Sequence, residues 1–283
     1  MQLCVRTSPL ARGRAGGYII PMREDLANQL LPQHGEPIDP VAMARRDLQK
    51  VLPRRFYKQA SALEGEGGFA LVLDGKSAHT PGRLPICTPT RALTDALAQE
   101  WNAQGEFIDP ASMPLTRIVN SALDGVRREM AEVRAEIVKY SGSDLLCYRA
   151  GEPVSLVEAQ SQAWDPILVW AREALGARFI CAQGVIFADQ PAPAIEAVAR
   201  VVGEVTSPLA LAALSVMTTI TGSALLALAV AQRRLTAAQA WADAHVDEDF
   251  QIRNWGEDEE AAVRRAKRWL DMEAAAKVYA LSV

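Results

Sequence analysis

Residues 68–81 read GFALVLDGKSAHTP, and the pattern of this stretch decides how the chain divides. Phe69, Leu71 and Leu73 recur at every second position, the period of a strand that turns one face to a core. Asp74-Gly75 follows at once. That pair accepts the positive φ values of a two-residue hairpin turn, so the chain is expected to reverse there into an antiparallel partner. Residues 54–88 are therefore expected to form a small antiparallel β unit. The glycines just upstream, GEGG at 65–68, precede a strand instead of opening a helix, which is the wrong context for a nucleotide-binding loop.

Downstream the period changes from two to about three and a half. Thr88-Pro89 offers an N-cap and a first-turn proline, and Leu93, Leu97 and Trp101 then share one helix face. A proline-containing link at 105–114 follows. Met130, Val133, Ile137 and Tyr140 resume helical spacing until SGSD at 141–144 interrupts it. Ser155 with Glu158 makes a capping-box pattern before a helix that Gly176 can end. A second hairpin is expected over RFICAQGVIFADQP, 178–191, anchored by Phe179, Val185 and Phe187. Helices are expected from there to the end. The fold class is α+β: a small antiparallel β-rich N-terminal region, 54–92, followed by a larger, mostly α-helical region, 93–283.

Upstream, residues 1–53 are expected to be a flexible leader carrying one short helix at VAMARRDLQKVL, 41–52. Its first 21 residues contain three arginines and no acid. They suit an upstream start, with Met22 as the true one, or a disordered leader, better than a transit peptide, and they lack the apolar run of a secretory signal. Leu209 to Ala231 carries no charge and is long enough to span a membrane. It is rich in Ala, Thr and Ser and is broken by Gly222, so it reads as one or two buried helices of a bundle. The formal charge of −4 points to neither nucleic acid nor a membrane surface as a general partner. Cys4, Cys87, Cys147 and Cys181 include no C-x-x-C pair, which fits reduced thiols in a reducing compartment.

Signs of catalysis are thin. There is no G-x-S-x-G elbow and no phosphate-binding loop, and the histidines are His34, His79 and His245. The one candidate is His245 with Asp249, four apart on an expected helix, which Asp258 or Glu259 would have to complete as a metal site for a hydrolase. These residues belong to DEDFQIRNWGEDEEA, 247–261, where seven of fifteen residues are acidic. A helix is expected to start at Thr236, capped with Gln239, to present Trp241, Val246, Phe250 and Ile252 or Trp255 on its apolar face, and to end at Gly256. A second helix then starts near Asp258, where first-turn acids meet free N–H groups and the positive end of the dipole. Glu260 lies four residues before Arg264, and Ala262, Ala266, Trp269 and Leu270 can face the core. Capping and solvation can thus explain Glu257 to Glu260 without a function.

Several segments taken together carry a resemblance. They are RRFYK at 54–58, GFALVLDGK at 68–76 with a following TP, EWNAQGEFIDPASMPLTRIVNSALDGV at 100–126, YSGSDLLCYRA at 140–150, QSQAWDPILVW at 160–170, GSALLALAVA at 222–231 and the acidic stretch itself. In this order they resemble the ATP-twelve family of assembly chaperones, over about residues 54–275. The resemblance implies a β-rich region followed by a helical one, no catalysis and no cofactor. It implies a client, the newly made alpha subunit of the ATP synthase catalytic head, which is kept soluble until it meets beta. It further implies a monomer without nucleic-acid binding or membrane insertion, in the bacterial cytoplasm or, in a eukaryotic owner, the mitochondrial matrix. Asp247, Glu248, Gln251, Trp255, Gly256, Asp258, Glu259 and Glu260 match its acidic motif and, with Glu257, become candidate client contacts. Trp255 is either an anchor or a core residue, and Trp101 is expected to join the β unit to the helices. A protein-binding module with another client remains the blander alternative.

Overall fold

Asp74 and Gly75 adopt φ values of 48° and 80°, the two left-handed residues of a tight hairpin turn. In this computed structural model, which describes residues 52–65, 67–184 and 187–282, the turn links β2 (Gly68–Leu73) to β3 (Lys76–Ser77). On its other side β2 pairs with β1 (Ala60–Gly65), and near its start with β4 (Cys87–Thr88), all antiparallel. The small antiparallel sheet expected within 54–88 is present. The described residues belong to one compact unit, Leu52–Val283. The expected leader, through residue 51, lies outside the described residues.

The edge of the sheet shows how the two regions are joined. Gln59 O accepts from Asp74 N at 2.9 Å, and the register places Ala60 opposite Leu73. Ala60 therefore turns its N–H and C=O away from β2. Asn102, the last residue of helix α1 (Arg91–Asn102), takes both: its Oδ1 accepts from Ala60 N and its Nδ2 donates to Ala60 O, each at 2.8 Å. The carboxamide thus imitates one residue of a further strand. Ala60 is buried, so Asn102→Ala strands a donor and an acceptor and is expected to cost about 1–3 kcal/mol, read as a lower urea midpoint at unchanged m value.

Helix α1 is capped by Thr90, which accepts from Leu93 N, and not by Thr88 as expected, because Thr88 is used in β4. Leu93 and Leu97 are fully buried. Trp101 packs against Tyr57 and donates from Nε1 to Thr116 Oγ1 at 3.0 Å, while Tyr57 Oη donates to the Trp101 carbonyl. Trp101 is thus the joint between sheet and helices that the sequence suggested.

The helical region continues through α2 (Pro114–Ser121), which runs into a π-helical turn at Ala122–Val126, and then α3 (Met130–Ser141). Next come α4 (Val154–Trp170), α5 (Ala192–Gly203), α6 (Pro208–Thr221), α7 (Ala224–Ala231), α8 (Ala237–Ala244), α9 (Val246–Trp255) and α10 (Glu259–Ser282). The uncharged stretch 209–231 is the centre of the bundle. Leu211, Leu214, Met217 and Leu225 are fully buried, and Gly222, at φ 67°, makes the left-handed break between α6 and α7. Helices α2, α3 and α10 pack around α6. Among the described residues no helix is long and apolar enough to cross a membrane.

Four local expectations are corrected. The box of Ser155 and Glu158 does not form: Pro153 occupies the N-cap, so Ser155 already lies inside the first turn. Among the described residues of 178–191 no hairpin pairing is present. β6 (Ala182–Gln183) instead pairs in parallel with β5 (Tyr148–Arg149), and the Gln190 side chain bonds Ile180 N and O, both at 2.9 Å, where a second strand would have done so. Phe179 packs on the core, Phe187 is exposed, and Val185 lies outside the described residues. The single helix expected over 236–256 is two, broken at His245. Ala266 and Leu270 of α10 are exposed, because only the second half of that helix is sunk in the bundle, at Met272, Ala274, Ala275 and Val278.

Candidate functional site

Thr236 and Gln239 form the reciprocal capping box the sequence announced, and α8 runs from it to a break at His245. The break has a visible cause. His245 is only 5% exposed, stacks on Trp241 with ring centroids 3.9 Å apart, and places Nδ1 2.7 Å from the Trp241 carbonyl oxygen. Trp241 in turn meets Trp269 of α10. Burial, more than any charge, holds the His245 imidazole below its ordinary value of 6.5.

Helix α9 leaves this junction across the surface, with no residue fully buried. Two bonds from α4 fix the junction, one on each helix: Trp164 Nε1 donates to the Asp243 carbonyl of α8 at 2.7 Å, and Gln160 Nε2 donates to Asp247 Oδ1 of α9 at 2.7 Å. Burial also pushes the Asp243 carboxyl up to about 6. On the far side Asp249 pairs with Arg265 of α10 at 2.6 Å. Gly256 ends the helix at φ 91° and ψ 168°, a backbone region essentially restricted to glycine. The chain then folds back, and Asp258 Oδ1 accepts from Ala261 N at 2.7 Å to cap α10.

The reversal encloses a shallow cleft of about 290 Å³ between α9 and the start of α10. Of the candidate contacts, Glu248, Gln251, Trp255, Glu257 and Asp258 line it, as does Gly256. Asp247 does not, being turned to Gln160. Glu259 and Glu260 stand exposed on the first turn of α10, Glu260 paired with Arg264 at 2.5 Å. Trp255, open as anchor or core in the sequence, is 76% exposed, so it is not a core residue. Arg265, Ile252, Ala261 and Ala262 complete the lining. Sequence reading gave Arg265 no place here, because its partner Asp249 lies on the other side of the Gly256 turn and no local spacing links them.

As chemistry, the site offers little. His245 and Asp249 do not converge, since the first bonds a carbonyl and the second an arginine. Among the described residues no three of His, Cys, Asp and Glu are grouped to hold a metal ion. As a surface it offers more: an exposed indole beside a cleft, with acids on the rim.

A family model described as ATP12 chaperone protein matches residues 54–172, the sheet and the first helices, and stops short of this cleft. Solved structures extend the likeness over most of the chain. The Atu1473 protein of Agrobacterium tumefaciens is 49% identical and superposes with a TM-score of 0.79, covering 87% of this chain and 92% of that one. Atp12 from Paracoccus denitrificans is 39% identical with a TM-score of 0.75, covering 82% of this chain and 99% of that one. With sequence order, sheet, bundle and these relatives in agreement, the chain belongs to the ATP12 family of ATP synthase assembly chaperones.

Proposed function

We propose that this chaperone binds the unassembled alpha subunit of the ATP synthase catalytic head, without chemistry and without a cofactor, and holds it soluble until beta replaces it. The observation that carries the reading is Trp255, 76% exposed at the mouth of a cleft rimmed by Glu248, Glu257 and Asp258. An exposed indole is no signal alone, but one set at a cleft has the make-up of an interface anchor, and a ring of charges around it gives register and reversibility. A modest interface of this kind suits a partner that must later leave. In this reading the protein works as a monomer in the bacterial cytoplasm, or in the matrix of a mitochondrion.

Co-expression with the alpha subunit alone tests it. Alpha is expected to move from the insoluble to the soluble fraction and to co-elute with this chain as a one-to-one complex in size-exclusion chromatography. Alpha that stays insoluble, with the chaperone eluting alone, would reject alpha as the client.

A further inference from the structure

Glu248, on the face assigned to the client, has a buried neighbour that can change its charge. The carbonyl oxygen of Trp241 only accepts hydrogen bonds, so the His245 Nδ1 that lies 2.7 Å from it carries a hydrogen. In the neutral ring the second nitrogen, Nε2, is then bare. It stands 3.8 Å from Glu248 Oε2. Two acceptors facing across that gap form no bond, and the Glu248 side chain, 40% exposed, is left to solvent or to a partner. A proton on Nε2 reverses the relation, placing a charged donor against the carboxylate.

We infer that His245 is a proton-dependent positioning residue of the client face, which on protonation draws the Glu248 carboxylate into an internal ion pair and loosens the grip on the client. The second half of that statement rests on the alpha-binding reading above; the first half does not. Three elements supply the groups around the ring. Helix α8 gives the Trp241 carbonyl, and α9 gives Glu248, both of which favour the charged form. Helix α10 gives Arg265 and Arg268, which oppose it, although Arg265 is partly neutralised by Asp249. Asp247, also on α9, is held by Gln160 of α4. Burial outweighs the favourable groups and keeps the ring below 6.5. The sign follows: the client face is open at neutral pH, and the internal pair forms only as pH falls below 6.5. Because the folded value is depressed, the same descent also costs folding stability.

Nuclear magnetic resonance of the full chain, following the His245 ring and the Glu248 side-chain carboxyl carbon against pH, tests the ion pair directly. In the wild type both signals are expected to shift with one midpoint below 6.5, and in Glu248→Gln the ring midpoint is expected to fall further. Equal ring midpoints in the two proteins would overturn the assignment. Capture of alpha across the same range tests the consequence. It is expected to weaken about fivefold on the acid side in the wild type, the upper range for a half-exposed ion pair; in Glu248→Gln, weaker from the start for want of the carboxylate, it is expected to vary little with pH. Full-strength wild-type capture at every pH would overturn the loosening while leaving alpha as the client. Absence of capture at every pH would instead reject the client and the loosening together, with the ring titration still deciding the ion pair.

Discussion

Glu259→Lys combined with Glu260→Lys is expected to weaken capture of alpha by roughly a hundredfold or more while lowering the melting temperature by only a few degrees. Both side chains are exposed on the first turn of α10 and touch no part of the core. Reversal there loses the favourable interaction with the helix dipole and turns the Glu260–Arg264 pair into a repulsion. Together these amount to about 1–2 kcal/mol, a shift of only several degrees for a unit of this size. At an interface the same change meets basic client groups with like charge, and a loss of about 3 kcal/mol or more, roughly hundredfold in Kd, is expected. Trp255→Ala separates the anchor from the rim. With its indole already in water, its melt should stay near wild type, while capture falls by about 2 kcal/mol if the indole is an anchor. Isothermal titration against alpha, with calorimetric melts of each variant, reads all of this. Capture at wild-type strength in the lysine variant would remove the acidic rim from the interface, and a collapsed melt would show the acids to be structural caps.

Where the sequence was readable, a short-range signal matched the dominant force. Asp74-Gly75 announced its turn because few other pairs tolerate two left-handed residues in succession, and the Thr236–Gln239 box was visible because both partners lie within one turn. The uncharged run 209–231 was legible because its small residues and the Gly222 break suit close helix packing in a core better than a lipid-spanning helix. The failures have one physical source, which is that long-range partners override local pattern. Residues 178–191 alternate like a hairpin, yet β6 pairs with β5 thirty-odd residues earlier, and Gln190 fills the edge. The regular spacing from Trp241 to Phe250 hid the break at His245, which arises because the imidazole is drawn under Trp241. The acids of 247–261 could be counted but not sorted. Only the fold reveals that Asp247 belongs to Gln160 and Asp249 to Arg265, leaving Glu248 and Glu257 at the cleft beside Asp258, whose place at the start of α10 was legible.

The largest effect on folding is expected at Asp144, in the YSGSDLLCYRA segment far from the cleft. Asp144 is completely buried, and its two oxygens accept from Leu146 N at 3.2 Å and from Leu225 N at 3.1 Å. Leu225 lies in the first turn of α7, so one carboxylate both closes the turn after α3 and caps the central buried helix. Asp144→Ala leaves those N–H groups without a partner in a water-free interior and is expected to cost about 3–5 kcal/mol, though it also removes a buried charge. That charge has its own signature. Burial raises the Asp144 carboxyl from 3.8 to about 6 against the opposing pull of nearby donors, among them the bonded Leu225 and Leu146 N–H groups. A group whose folded value is raised binds its proton more tightly in the folded state, so its contribution is complete below 3.8 and is lost as pH rises through about 6. Asp243, raised to about 6 by burial, adds a smaller and partly screened effect in the same window. Urea denaturation of the wild type is therefore expected to include a component that weakens from pH 4 toward about 6, and Asp144→Asn should flatten most of it while costing less than alanine at pH 7. An unchanged slope in Asp144→Asn would mean that the carboxylate is as well solvated by the donors around it as by water. An Asp144→Ala protein as stable as the wild type would mean that α7 does not depend on this cap at all.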